Sequence, residues 1–112
     1  MKKLVAFLGF LVVTSMSAFA APGYVHIANV SELQYQIYDG GTVYFRNLNK
    51  FDSGVTGCCY AFALDTSTEG GKSMWSTILL KMATGGDIYF YLTERNPPTS
   101  GSPAYVQHIG NW

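Results

Sequence analysis

The sequence predicts a mainly β domain with one α-helix, its elements in the order β-β-β-α-β-β. Three observations carry this expectation. Runs of β-branched and aromatic residues alternate with period two at five places; one stretch repeats its apolar residues at helical spacing; and glycine pairs punctuate the boundaries.

The first strand is read from Tyr24 to Val30, with Val25 and Ile27 on one face and His26 between them on the other. The same alternation resumes at Leu33, Tyr35 and Ile37, so this strand is expected to continue past a bulge near Ser31. Asp39-Gly40-Gly41 accepts positive φ between two β-like runs, which marks a tight hairpin into a second strand, Thr42 to Leu48. A polar loop over Asn49 to Gly57 leads to a third strand, Cys58 to Leu64. There Cys58, Tyr60, Phe62 and Leu64 share one face and Cys59, Ala61 and Ala63 the other.

Met74, Trp75, Ile78, Leu79, Met82 and Ala83 then fall on one helical face, with Lys72, Ser73, Ser76, Thr77 and Lys81 opposite. This is the only helix expected. Thr66 with Glu69 fits a capping box at its start, and Gly85-Gly86 fits a left-handed stop at its end. Gly70 and Gly71 weaken the first turn, so the start is expected between Thr66 and Lys72. Two closing strands, Asp87 to Thr93 and Ala104 to Ile109, flank a loop over Asn96 to Pro103. Three strands, a helix and two strands are the order of an OB-like five-stranded barrel; an open antiparallel sheet with the helix laid across it is the competing architecture.

The amino terminus carries its own signal. Lys2 and Lys3 precede an apolar run from Leu4 to Val13 and small residues ending Ala18-Phe19-Ala20, the pattern of a cleavable signal peptide, and the run is shorter than the roughly 20 residues of a membrane span. Cleavage is expected after Ala20, so residues 1–20 are the signal and 21–112 a single domain, exported to the periplasm or beyond. Removing the first 20 of 112 residues leaves 92, with five basic residues (Arg46, Lys50, Lys72, Lys81, Arg95) against seven acidic. A balance of about −2 argues against a phosphate-driven nucleic-acid binder.

Few residues in this domain point to chemistry. Cys58 and Cys59 are adjacent, and in a strand they would point to opposite faces. Three states are open for them: two buried thiols, which is favoured, a vicinal redox-active bridge, or an intermolecular bridge. Zero spacing suits no tetrahedral metal site, and neither His26 nor His108 stands at a ligand-like offset, so no metal or cofactor is expected. The two histidines would approach each other only if the barrel closes. Asp65 and Glu69 are explained by helix capping rather than acid–base work. No Gly-x-Ser-x-Gly elbow occurs, and Gly70-Gly71-Lys72-Ser73 lacks the upstream glycine of a phosphate loop, so the chain is read as non-enzymatic. What remains is a surplus of aromatics: Tyr35, Tyr38, Tyr44, Tyr89, Tyr91, Tyr105 and Trp112 exceed what a small core needs. Alternation favours Tyr24, Tyr38, Tyr44 and Tyr105 as exposed ligand-binding candidates.

The segment from Asp65 to Gly86, with its Thr84-Gly85-Gly86 exit and the following Ile88-Tyr89-Phe90-Tyr91 strand, resembles the helix-plus-strand core of small exported bacterial proteins related to the B subunits of subtilase cytotoxin and typhoid toxin. The likeness covers about half of residues 21–112 and rests on fold-determining residues. It implies an OB-fold that assembles as a pentameric ring, binds sialylated glycans and serves a separately encoded partner. The family's sugar-contacting serine has no counterpart, since the nearest positions read Ala21-Pro22-Gly23-Tyr24, and its disulfide between separate strands or loops is replaced by the adjacent cysteine pair. The function expected is thus an exported binding subunit for a glycan or protein partner. A periplasmic accessory or inhibitor protein and a small thiol-redox protein are the alternatives.

Overall fold

The computed structural model describes residues 22–97 and 102–112. The expected signal peptide and its cleavage point lie outside the described residues. Six strands form one unclosed mixed sheet: β1 (Gly23–Ile27), β2 (Tyr35–Ile37), β3 (Thr42–Phe45), β4 (Phe62–Asp65), β5 (Ile88–Leu92) and β6 (Ala104–Gly110). Their spatial order is β1-β5-β6-β4-β3-β2, antiparallel throughout except for the parallel pair β4/β6. A short helix, α1 (Leu48–Phe51), precedes β4, and the principal helix, α2 (Glu69–Thr84), lies between β4 and β5. The mainly β character with one main helix is as the sequence predicts, but six strands replace the expected five and the sheet does not close.

The sixth strand arises where the first was expected to continue. Asn29 accepts hydrogen bonds from the Ser31 amide at 3.1 Å and the Ser31 hydroxyl at 2.6 Å, capping a 3-10 turn over Val30–Glu32 in place of a bulge. Val30 is buried and its amide donates to the Gly86 carbonyl at 2.9 Å, so the turn is tied to the exit of α2. A capped turn fixed at both ends breaks the ladder that a bulge would have bent. The hairpin at Asp39-Gly40-Gly41 forms as predicted, with Tyr38 N–H donating to Thr42 O at 2.9 Å.

The third strand is shorter than the sequence implies. Gly57 (φ 105°) and Cys59 (φ 79°) both take left-handed backbone, so the chain bends through residues 58–61 and only Phe62–Asp65 is strand, with Ala63–Asp65 paired to β3. α2 begins one residue after Thr68, whose hydroxyl accepts from the Gly71 amide at 2.9 Å, and not with the expected Thr66–Glu69 box. Thr66 is occupied elsewhere: its hydroxyl donates to the Gly41 carbonyl at 2.6 Å. Asp65 likewise caps its own turn, accepting from the Ser67 amide and hydroxyl, while exposed Glu69 pairs at 3.7 Å with Lys72. Gly85, at φ 74°, ends the helix as predicted.

One face of the sheet carries Val25, Ile27, Val43, Phe45, Phe62, Leu64, Ile88, Phe90, Leu92 and Val106, all buried. Against it α2 lays Ile78, fully buried, with Met74, Trp75 and Met82 packed around it. Leu79 was expected on this face but stays 42% exposed, and Leu80 is 65% exposed. Each fully buried large apolar side chain contributes about 1.5–3 kcal/mol, so this one-sided core is the source of stability. The opposite face carries Tyr24, His26, Tyr44, Tyr89, Tyr91, Tyr105 and His108, all exposed or partly exposed. β6 keeps that face continuous across an irregularity at Gln107: Tyr91 pairs with His108 and Leu92 with Val106, which sets Tyr105, His108 and Gly110 all outward.

Candidate functional site

The outward face carries two groups of aromatic side chains. The first spans β1, β5 and β6, where registers Tyr24↔Tyr91↔His108 and His26↔Tyr89↔Gly110 align side chains in rows. His108 stacks on Tyr91 and His26 on Tyr89, with ring centroids 4.6 and 4.4 Å apart. Trp112 folds back over Gly110 to stack on Tyr89 at 4.6 Å, meeting Tyr24 edge-on at 5.2 Å. A Cβ on Gly110 would overlap the Trp112 ring. Gly110→Ala is therefore expected to lift Trp112 off Tyr89, red-shifting its fluorescence with little loss of melting temperature; an unchanged emission spectrum would show that the ring is not seated there.

Every ring in this first group meets a neighbouring ring, and His26 also has a polar partner. His26 Nε2 lies 2.8 Å from Asp87 Oδ2, and this hydrogen bond holds the Asp87 carboxyl below the usual carboxylate range. Because the folded pKa is depressed, the contribution is present above the ordinary Asp value of about 3.9 and disappears as pH falls through the lower folded value. Both groups are over two-fifths exposed, so solvent screens the pair and the effect is small. His26→Ala is expected to flatten the acid limb of the stability profile below about pH 4, read as melting temperature against pH. An acid limb identical in the two proteins would remove this pair from the account. The two histidines lie on strands separated by β5 and form no paired site.

The second group lies at the other end of the sheet. Period two places Gln36 of β2, Tyr44 of β3 and Ala63 of β4 in one outward row, with Arg46 just beyond β3 on the same side and Tyr105 of β6 paired across from Ala63. Tyr38 and Tyr44 meet edge-on at 5.4 Å, and Tyr44 and Tyr60 at 5.2 Å. The Arg46 guanidinium sits 5.0 Å from the Tyr60 ring centre. Gln36 Oε1 accepts from Arg46 at 2.7 Å and from the Tyr60 hydroxyl at 3.0 Å, which locks the three together. The Arg46 guanidinium, then a hydrogen bond from Tyr38, holds the Tyr60 phenol below its ordinary value, while the bond to Tyr60 pushes the Tyr38 phenol up. Tyr38 and Tyr60 are about half exposed.

The structure thus brings Tyr38 and Tyr44 together and sets Tyr24 with the first aromatic group. Tyr105 stands on the same outward face beyond Ala63. Alternation could have supplied more of the patch: Gln36/Tyr38 and Tyr44/Arg46 are period-two pairs facing each other across a recognisable hairpin. Sequence reasoning nevertheless passed over Gln36 and Arg46, because neither is aromatic. Tyr60 was hidden more deeply, since a regular strand from Cys58 would have turned it inward with Phe62.

The cysteines differ most from expectation. They are joined to each other, and Cys58 is exposed at the margin of the Tyr60 patch. The buried-thiol reading assumed a strand with side chains on opposite faces, whereas the left-handed backbone at Gly57 and Cys59 turns both sulfurs to one side. Among the described residues no cluster of three or more His, Cys, Asp or Glu side chains could hold a metal, and no helix is long and apolar enough to cross a membrane. A groove of about 260 Å³ between α2 and the end of β6 is lined by Met74, Thr77, Lys81, Ile88, Ile109 and Gly110, and none of the aromatic rings of either group lines it. The chain matches no protein-family model, no curated protein and no solved structure.

Proposed function

We propose that this chain is an exported, non-enzymatic binding subunit that recognises a glycan through Tyr38, Tyr44 and Tyr60 with Arg46 and Gln36. The observation that carries the reading is the combination in one partly exposed patch of three aromatic rings in edge-on contact with an arginine and a carboxamide, Gln36 being hydrogen-bonded to Arg46 and Tyr60. Flat rings cover the apolar faces of sugars, and a cation with a neighbouring carboxamide supplies directional hydrogen bonds to hydroxyl or carboxylate groups. Little side-chain entropy is lost on binding when the rings are held beforehand.

The OB-like part of this reading draws on the strand order. If β1 and β2 are the two halves of one strand interrupted by the 3-10 turn, five strands remain, with α2 between the third and fourth. The halves then stand at the two edges of the sheet, which is the circular order of an OB-like barrel opened at the interruption. A pentameric ring with a separately encoded partner, in the periplasm or outside the cell, belongs to this proposal. A periplasmic accessory or inhibitor draws instead on the exposed Leu79 and Leu80 of α2, which suit a protein surface.

The native mass of residues 21–112 and a glycan array test the reading together. A ring near five subunits with saturable glycan binding, weakened at least about tenfold by Tyr44→Ala or Arg46→Ala, is the expected result. A strict monomer that binds no glycan, yet retains a protein in pull-down, would replace it with the inhibitor reading.

A further inference from the structure

Among the described residues Cys59 is the single non-glycine residue with positive φ, 79°. Cysteine lacks the local hydrogen bonding that lets Asn or Asp tolerate this region, so the conformation persists only where the surroundings impose it. Core packing does not impose it, because Cys58 is exposed and Cys59 only half-buried. What remains is the covalent bond to Cys58, with the Tyr60 amide donating to the Cys58 carbonyl at 2.9 Å. The next residue is Tyr60 itself, so the backbone at Cys59 aims the ring that meets Tyr44, Arg46 and Gln36. Cys58 Sγ also lies 3.7 Å from the Arg46 carbonyl oxygen, an acceptor that a thiol at that sulfur would find waiting.

We propose that the Cys58–Cys59 bond is a redox latch on the tyrosine patch, opened by a dithiol reductant, which releases Tyr60 and dismantles the ligand surface. The consequence for binding rests on the proposed glycan site; the latch itself does not. In the opening step a thiolate of the reductant attacks exposed Cys58 Sγ, and the electron pair of the broken S–S bond passes to Cys59 Sγ, which takes a proton from water. The reductant's second thiol, as thiolate, then attacks the mixed disulfide, leaving Cys58 as a thiol after protonation and closing the reductant's own disulfide. The reductant loses two electrons and two protons, and the protein gains two thiols. Freed of the ring, Cys59 returns to negative φ and carries Tyr60 away from Gln36 and Arg46. In an oxidising compartment the patch is assembled; in a dithiol-rich one it is not.

The test needs no ligand. Residues 21–112 carrying ¹³C-labelled tyrosine rings are compared before and after dithiothreitol, with thiols counted by alkylation and mass spectrometry and the Tyr60 signal assigned through Tyr60→Phe. The expected result is two new thiols, displaced Tyr60 and Tyr44 signals, unmoved Tyr89 and Tyr91 signals and an intact fold by circular dichroism. Cys58→Ser with Cys59→Ser reproduces the reduced spectrum. Cys58→Ser with Cys59→Gly keeps the oxidised one, because glycine takes positive φ without the bond. Two thiols without movement of Tyr60, loss of the whole fold on reduction, resistance to the reductant, or a glycine variant that behaves like the serine variant would each overturn the latch. Oxidised and reduced protein are then applied to the same glycan array. No binding by either form refutes the glycan site and leaves the latch standing, whereas equal binding by both refutes the latch's effect on the site and leaves the site standing.

Discussion

Gly71→Ala is expected to destabilise the protein by about 3 kcal/mol, at the upper end of what overpacking costs, and to lower its melting temperature by roughly 12–20 °C. Helix propensity alone predicts the opposite sign, since alanine is favoured over glycine by about 1 kcal/mol in a helix interior. The difference is the neighbour. Gly71 is buried in the first turn of α2, and a Cβ there would overlap the Asp65 carbonyl oxygen, which is backbone and cannot rotate aside. Asp65 in turn is the last residue of β4, paired with Thr42 of β3, so the strain passes directly into the sheet. The Thr68 cap, which depends on the Gly71 amide, is pulled open at the same time.

Gly70 provides the control. One position earlier, a Cβ would meet nothing within 4 Å, and Gly70→Ala is expected to leave stability unchanged or raise it slightly. Calorimetry of the two variants side by side separates a requirement for space from a preference for helix. If Gly71→Ala melted within about 2 °C of the unaltered protein, the lead-in from Asp65 to Thr68 would be shown to shift without cost.

These two glycines mark the limit of what was legible in the sequence. Periodicity located α2 and its Gly85 exit, and alternation found the inner rows of β1, β3 and β5, because in each case the signal is local and repeats. It could not say why two glycines open a helix, since the answer is a carbonyl oxygen brought there by the strand before it. The 3-10 turn after Asn29 and the bend at Cys59 were missed for a related reason: both depend on single side chains making specific bonds, Asn29 to Ser31 and Cys58 to Cys59. Of the candidate site, Tyr38 and Tyr44 were within reach through the hairpin, and Tyr60 was not. A residue whose direction is set by a left-handed neighbour carries no period of its own.

Phe90→Ala is expected to cost about 3–5 kcal/mol, the range for removing a buried aromatic side chain and leaving a cavity. Phe90 is fully buried on β5, the strand that joins β1 to β6, opposite Val25 and Ile109, with the Phe45 ring 5.0 Å away. A domain of this size has a total stability of about 5–14 kcal/mol, so the variant sits near the edge of folding. Tyr91, the very next residue, points to the other face and stacks on His108 in the open; Tyr91→Ala is expected to cost about 1 kcal/mol or less. Denaturant titration of both variants measures the contrast. Equal losses would mean that the outward aromatics are structural and would weaken the case for recognition on that face. A difference of several kcal/mol between adjacent residues would mean that the fold does not need its outward rings, which leaves the Tyr38, Tyr44 and Tyr60 patch free to be shaped by a ligand rather than by stability.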